Sequence, residues 1–195
     1  MQYVLDFDEV IFNTSALKEK MDELGIPESE RGLSVFSRIA EADPEFNFAS
    51  LVFPGAQEFI EAHGPHISIV SSAFSIDPEN NTNLEEQLAF QREKIRLAGM
   101  GEHIAPQNIH VVGAEKSEAL HALQQQFGEK LVFVDDREKY VREASELGVR
   151  SVWMDRGQRG YLENQEGIPS MLAFPRVGSF KEFQELVSSW EEEQR

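Results

Sequence analysis

The residues with the clearest chemical potential are two pairs of aspartates, each of which follows a short apolar run. Asp6 and Asp8 follow the run 3–5, and Asp135 and Asp136 follow the run 131–134. Apolar runs of this length, bounded by polar residues, are typical of buried parallel strands. Because open α/β sheets bind ligands at the carboxyl ends of their strands, we expect both pairs at one ligand site.

Four carboxylates that lie together need a cation. Two unit charges about 4 Å apart repel by about 4 kcal/mol at an effective dielectric near 20. The sequence has no cysteine, and its five histidines show no ligand spacing. Oxygen ligands alone suit a hard ion better than they suit zinc or copper. We therefore predict that the cofactor is Mg²⁺.

Composition narrows the range of partners. The 195 residues fit one domain with a small insertion, and the formal net charge is −17. Nucleic-acid binding depends on clustered Lys and Arg, so this charge disfavours it. The first apolar run begins two residues after Met1, and no run approaches 18 apolar residues. We expect a cytoplasmic protein without a membrane segment.

The elements that must position the aspartates alternate along the chain. The pattern predicts strands at 3–5, 67–70, 109–112, 131–134 and 151–154. It predicts helices at 15–24, 28–42, 55–63, 84–97, 117–127 and 139–147, a polar loop at 73–83, and a last helix to about residue 190 that opens on a capping box of Ser179 and Glu182. Such alternation favours right-handed crossovers, and hence an α/β three-layer sandwich around a five-stranded parallel sheet.

Four short motifs in this order resemble those of the haloacid dehalogenase-like hydrolase superfamily. Asp6, Phe7 and Asp8 resemble its first motif, and Ser71, which closes the strand at 67–70, resembles its second. Lys116, at the start of a predicted helix, resembles the third, and the pair Asp135 and Asp136 resembles the fourth. The resemblance spans most of the chain. It implies the strand order 5-4-1-2-3, which puts the first and fourth strands side by side.

The resemblance also implies roles for these residues. Asp6 would be the nucleophile that takes a phosphoryl group, and Asp8 would protonate the leaving oxygen and then deprotonate the attacking water. Lys116 would offset negative charge, while the Ser71 hydroxyl and nearby backbone N–H groups, those of Ser72 among them, would hold phosphoryl oxygens. The presence of Asp8 points to the phosphate-processing members, since the dehalogenases lack this second acid.

For the metal, the resemblance implies that Asp136 is a direct ligand, together with Asp6 and the backbone carbonyl of Asp8. Asp135 would hold metal-bound water or Lys116. The segment 14–50 corresponds to a small helical cap, inserted into a core domain formed by 1–13 and 51–195.

Several residues allow more than one interpretation. Lys94 competes with Lys116 for the role of the site lysine, and Ser72 is equally suited to a turn. Three arginines that could contact an anion are expected to be solvated: Arg137, Arg156 and Arg159. Glu9 departs from the family pattern, because many phosphatases of this kind have glycine there.

The sequence thus predicts a Mg²⁺-dependent phosphatase that hydrolyses a small phosphorylated metabolite through an aspartyl phosphate. The alternative is a non-catalytic protein that kept the fold and binds a ligand or partner, and Glu9 motivates it. A signalling receiver domain fits less well, because the strand before the mid-chain loop ends in Ser71 rather than in an aspartate. Neither the substrate nor the oligomeric state can be read from the residues.

Overall fold

The computed structural model describes residues 1–73, 84–113, 115–157 and 174–193. Its strands are β1 Gln2–Leu5, β2 Ile67–Ser72, β3 Ile109–Val112, β4 Leu131–Asp135, β5 Arg150–Met154 and β6 Arg176–Val177. Its α-helices are α1 Thr14–Glu23, α2 Val35–Ala42, α3 Ala56–His63, α4 Leu84–Leu97, α5 Ser117–Phe127, α6 Glu138–Glu146 and α7 Phe180–Glu193. The alternation of strands and helices confirms the predicted α/β class.

The strands form one parallel sheet in the order β3-β2-β1-β4-β5-β6. Within the described residues the sheet has six strands, so the prediction of five was wrong by one. The additional strand, β6, pairs two residues with β5 and is too short to leave a periodic signal. The central pair, β1 and β4, is the one expected to carry the aspartates.

Both faces of the sheet are buried, which explains why its strands are almost continuously apolar. Tyr3 and Leu5 of β1 face one hydrophobic cluster, whereas Val4 between them faces another. β4 alternates in the same way, with Val132 on the first face and Phe133 on the second. This period of two, with helices packed over each face, makes the three layers.

The segment predicted as a cap contains α1 and α2, joined by a short 3₁₀ turn at Glu28–Glu30. The prediction of one helix over 28–42 was wrong in its first half, because α2 begins only at Val35. The chain enters and leaves this segment side by side, since the Asn13 N–H donates to the Leu51 carbonyl at 2.8 Å. The assignment of 14–50 as a separate cap stays a prediction.

None of the helices in the described residues combines the length and the apolar character needed to cross a membrane. Most of the predicted loop at 73–83 lies outside the described residues.

Candidate active site

The first aspartates lie on a tight turn at the carboxyl end of β1. The Asp6 N–H still donates to the Val134 carbonyl of β4 at 2.9 Å, which continues the sheet register by one residue. The chain then turns back, and the Phe12 N–H donates to the Phe7 carbonyl at 2.9 Å. The two phenylalanine rings stack with centroids 5.2 Å apart. This turn, buried on its apolar side, fixes the backbone that presents Asp6 and Asp8.

Lys116 joins the two central strand ends. Its ammonium lies 2.8 Å from the Asp6 carboxylate and 2.7 Å from the Asp135 carboxylate, and its side chain is 1% exposed. Burial alone would lower the pKa of Lys116, but Asp135 and Asp6 raise it above its usual value. Asp135 also accepts the Arg137 N–H at 2.8 Å, so its carboxylate is held from both sides. The structure thus brings together three residues that the sequence predicted for the site.

Asp136 completes an oxygen cluster with Asp6 and Asp135. One carboxylate oxygen from each of the three lies within 4.8 Å of the others. Burial raises the pKa of Asp6 to about 7; Lys116 opposes that rise, and the negative charges of Asp135 and Asp8 add to it. Burial and the neighbouring Asp135 likewise raise the pKa of Asp136 well above its usual value. The raised pKa values of Asp6 and Asp136 show that burial and the repulsion between neighbouring carboxylates disfavour two negative charges here without a cation. Because the cluster offers oxygen ligands, it fits a hard divalent cation such as Mg²⁺.

Asp8 points to a second group of side chains. Its Oδ1 accepts hydrogen bonds from the Thr14 hydroxyl and the Lys94 ammonium, and its Oδ2 accepts one from the Gln91 amide at 2.9 Å. Burial would raise the pKa of Asp8, but Lys94 and these hydrogen bonds bring it below its usual value. The predicted site residue Asp8 is therefore held by side chains of α1 and α4 rather than by Lys116.

The two predicted phosphate-binding serines end β2 and are both buried. The Ser71 hydroxyl accepts a hydrogen bond from Gln91 Nε2 at 2.8 Å. The Ser72 hydroxyl is hydrogen-bonded to Tyr140, whose ring centroid lies 4.7 Å from the Lys116 ammonium. Ser71 is thus linked to Asp8 through Gln91, and Ser72 is linked through Tyr140 to the surroundings of Lys116.

Glu9 adopts a left-handed backbone conformation, with φ at 56°. Its Oε1 accepts hydrogen bonds from both the Ser15 N–H at 2.8 Å and the Ser15 hydroxyl at 2.9 Å. Burial raises the pKa of Glu9, while the Ser15 bonds oppose that rise. The glutamate that departs from the family pattern is therefore turned toward the start of α1, and it satisfies an N–H that the first turn of a helix leaves unpaired.

Arg156, which we expected to be solvated, packs against the turn that follows β1. Its Nε donates to the Glu9 carbonyl at 3.0 Å and its Nη2 to the Val10 carbonyl at 2.7 Å. Its guanidinium lies 3.8 Å from the centroid of the Phe53 ring. Burial lowers the pKa of Arg156 to about 10, and Glu9 opposes that effect. The expectation of a solvated side chain was wrong here, and Arg159 lies outside the described residues.

Sequence reasoning missed Gln91 as a site residue and considered Lys94 only as a substitute for Lys116. Both residues lie on α4, 83 and 86 positions from Asp8, so no local motif connects them to it. One signal was present. Gln91 lies in the apolar stripe formed by Leu84, Leu88 and Ile95, and an amide in such a stripe needs a buried partner.

Comparison with protein-family models and with curated proteins finds no match to this chain. Solved structures do match. A haloacid dehalogenase-like protein from Burkholderia xenovorans LB400 is similar with a TM-score of 0.62 at 16% identity, over 96% of each chain. The HAD-type protein YfnB from Bacillus subtilis, in a magnesium-bound form, gives 0.57 at 12% identity, over 95% of this chain and 97% of that one.

The 2-haloacid dehalogenase from Pseudomonas syringae pv. Tomato DC3000 gives a TM-score of 0.51 at 13% identity, over 97% of this chain and 99% of that one. At identities this low, the structural matches are evidence for the fold alone. The chain has the haloacid dehalogenase-like fold. The resemblance drawn from the four motifs is thereby confirmed at the level of the fold, and the roles of Asp6, Asp8, Lys116 and the other predicted site residues stay predictions.

Proposed function

We propose that the protein is a Mg²⁺-dependent phosphatase that hydrolyses a small phosphorylated metabolite through a phosphoryl group carried on Asp6. The observation that supports this most directly is the grouping of Asp6, Lys116, Asp135 and Asp136 at the carboxyl ends of β1 and β4. A nucleophilic carboxylate, a cation and an oxygen cluster are the groups that phosphoryl transfer needs for positioning and charge stabilisation.

In the first step, an Asp6 carboxylate oxygen forms a bond to phosphorus as the bond from phosphorus to the ester oxygen breaks. Because Lys94 and the hydrogen bonds favour its ionised form, Asp8 would first take up a proton from solvent and then give it to the leaving oxygen, which departs as an alcohol. In the second step, Asp8 takes a proton from water, whose oxygen attacks phosphorus. The acyl phosphate bond then breaks, phosphate leaves and the Asp6 carboxylate is restored. Lys116 stays paired with Asp6 and Asp135 and offsets negative charge throughout.

Asp6, Asp136 and the backbone carbonyl of Asp8 would hold the metal, and Asp135, which clusters with Asp6 and Asp136, would hold its bound water. When bound, Mg²⁺ would supply Lewis-acid stabilisation of the charge on the phosphoryl oxygens. The chain's own contribution on the opposite side would be the Ser71 hydroxyl and the N–H groups at the end of β2.

The neighbouring structures include a dehalogenase, so hydrolysis at carbon is the competing chemistry within this fold. Asp8 favours the phosphatase. A second acid beside the nucleophile is useful where a poor leaving oxygen must be protonated, whereas a halide leaves without a proton. Chloride release from a 2-chloroalkanoate, measured alongside phosphate release, separates the two reactions.

The test of the nucleophile is Asp6→Asn. This variant should lose hydrolysis of 4-nitrophenyl phosphate entirely while still folding, as a cooperative unfolding transition would show. Asp22→Asn is the matched control, because the Asp22 side chain is 67% exposed and pairs only with Arg31 among the described residues. Activity that persists in Asp6→Asn at the control's level would refute the assignment.

The second candidate is a non-catalytic protein that uses the same cleft for binding. Glu9 favours it, because a carboxylate replaces glycine next to Asp8 and its Oε2 is buried without a hydrogen-bond partner among the described residues. Calorimetric titration with Mg²⁺, run beside a panel of phosphorylated metabolites, distinguishes the candidates. A binding protein should take up Mg²⁺ and release phosphate from no member of the panel.

A further inference from the structure

Helix α4 sends two buried polar side chains into the site, and neither belongs to the four motifs. Gln91 and Lys94 are three residues apart and therefore lie on one face of the helix. Both are about 3% exposed. Both bond to Asp8, Lys94 through Oδ1 and Gln91 through Oδ2. Burying a lysine and an amide costs free energy unless an ion pair or hydrogen bonds compensate it, and here the Asp8 carboxylate supplies both.

The orientation of the Gln91 amide determines which of its partners accept hydrogen bonds. Its Nε2 lies 2.9 Å from Asp8 Oδ2 and 2.8 Å from Ser71 Oγ, so the two N–H groups of this nitrogen are both used. The reverse amide orientation would place a carbonyl oxygen against a carboxylate. Ser71 must then accept through its oxygen, and its own hydrogen is directed away from Gln91 and can be donated to a ligand oxygen.

The same hydrogen bonds determine which carboxylate oxygen of Asp8 is open for proton transfer. Oδ1 accepts from Thr14 and Lys94, which fills the two acceptor directions of a carboxylate oxygen. In the described part of the chain, Oδ2 accepts from Gln91 alone, so one of its directions is open. Proton exchange with a leaving group or with water would therefore run through Oδ2.

We propose that Gln91 and Lys94 are positioning residues, which fix the Asp8 carboxylate for proton transfer and orient the Ser71 hydroxyl as a donor to the phosphoryl group. This inference rests on the proposed phosphatase function and adds α4 to its machinery. It also divides the work. In the described part of the chain Lys94 donates a hydrogen bond to Asp8 but none to Ser71, whereas Gln91 donates to both.

The test uses Gln91→Met and Lys94→Met, which keep side-chain length and remove the donors. The controls place methionine on the same helix at Gln87 and at Arg92, neither of which bonds to the Asp8 or Ser71 side chain in the described part of the chain. Phenyl phosphate and 4-nitrophenyl phosphate are compared, because phenolate is the poorer leaving group and depends more on a proton from Asp8. Inhibition by orthovanadate reports binding of a phosphoryl-like anion.

Both site variants should lose kcat/KM on phenyl phosphate by about tenfold or more, with a clearly smaller loss on 4-nitrophenyl phosphate. Of the two site variants, Gln91→Met should also weaken vanadate inhibition, since Gln91 bonds to Ser71 and Lys94 bonds to Asp8. The controls should match the wild type. Equal losses on both substrates with unchanged vanadate inhibition would mean that the two residues serve only to support the fold, and that result would overturn the inference.

Failure of the proposed function would look different. If the wild type hydrolyses neither ester with Mg²⁺ present, the phosphatase proposal fails, and the positioning role is then decided by crystal structures of the wild type and Gln91→Met. Rotation of Asp8 or Ser71 away from the wild-type orientation supports the role. Side chains that stay in place in the variant overturn it.

Discussion

Glu9 is the residue at which this chain departs most from the pattern of its four motifs. Its left-handed backbone is a conformation that glycine adopts freely and that costs other residues about 1–2 kcal/mol. Two hydrogen bonds to Ser15 compensate part of that cost. The turn after β1 therefore still has the shape that a glycine would give it, and the glutamate side chain ties the turn to α1.

Replacing Glu9 by glycine and by alanine separates these two effects. Both variants lose the Ser15 hydrogen bonds, but only Glu9→Gly relieves the left-handed strain. We expect Glu9→Gly to be more stable than Glu9→Ala by about 1 kcal/mol, the reverse of the usual order of these residues. Urea denaturation of both variants measures the difference. A more stable alanine variant would show that the turn relaxes to an ordinary conformation once the glutamate is gone.

Single residues also show which groupings of side chains could be predicted from the sequence, while their roles stay predictions. Asp6, Asp135 and Lys116 were predictable because each is adjacent to an element end that the hydrophobic pattern locates. Gln91 and Lys94 were not, because they reach Asp8 from the middle of a helix, and their contacts depend on how α4 lies across the strand ends. Arg156 was misjudged for a similar reason, since it follows β5 directly but its partners lie on the turn after β1.

At the scale of elements, Arg156 connects the end of β5 to the turn after β1 across the intervening β4. Its two donors occupy the carbonyls of Glu9 and Val10, which the irregular turn leaves outside the sheet ladder. Stacking on Phe53 adds a contact with the strand-like segment that follows the insertion. One side chain thus braces the backbone next to Asp8 from two directions.

Arg156→Met should lower the free energy of unfolding by about 2 kcal/mol, because two carbonyls lose charged donors. Arg156→Lys should recover only part of this, since an ammonium cannot reproduce the planar fork that spans both acceptors. Arg176→Met is the matched control, because Arg176 is largely exposed and pairs with Asp155, and its loss should cost less than about 1 kcal/mol. Denaturant midpoints measure all three. Equal effects of the Arg156 and Arg176 changes would contradict the bracing role.

The elements themselves were largely predictable, for physical reasons that also explain the misses. Strands buried on both faces have to be apolar throughout, so β1, β2 and β4 could be found from composition alone. The late start of α2 was missed, although Gly32 just before it is an unfavourable residue for a helix interior. A side chain at Gly32 would lie 2.6 Å from the Glu86 carboxylate of α4, so the chain approaches α4 closely just before α2 begins.

The molecule as a whole is strongly acidic, and its candidate metal site concentrates that charge where solvent cannot screen it. With a formal net charge of −17, the folded chain repels itself at neutral pH. Buried Asp6 and partly buried Asp136 add to this, because burial raises the pKa values of both carboxyl groups. The stability of the protein should therefore depend on pH and on divalent cations together.

The sign of that dependence follows from Asp6. Its pKa is raised from 3.8 to about 7, so the metal-free folded state retains a proton that the unfolded chain has released. The resulting contribution to stability is fully present below about pH 4 and is lost as the pH rises to about 7. Asp136 contributes in the same direction. A cation that binds the ionised cluster must displace these protons at low pH but not at high pH.

We therefore expect Mg²⁺ to raise the unfolding temperature little at about pH 5.5 and markedly at about pH 8, where Asp6 is ionised without it. NaCl at matched ionic strength is the reference for general screening of the net charge. Asp136→Asn should abolish the Mg²⁺ effect at both pH values, because it removes a ligand and one of the repelling charges. A Mg²⁺ effect that is equal at the two pH values, or that survives in Asp136→Asn, would show that the ion acts on the acidic surface rather than on the cluster.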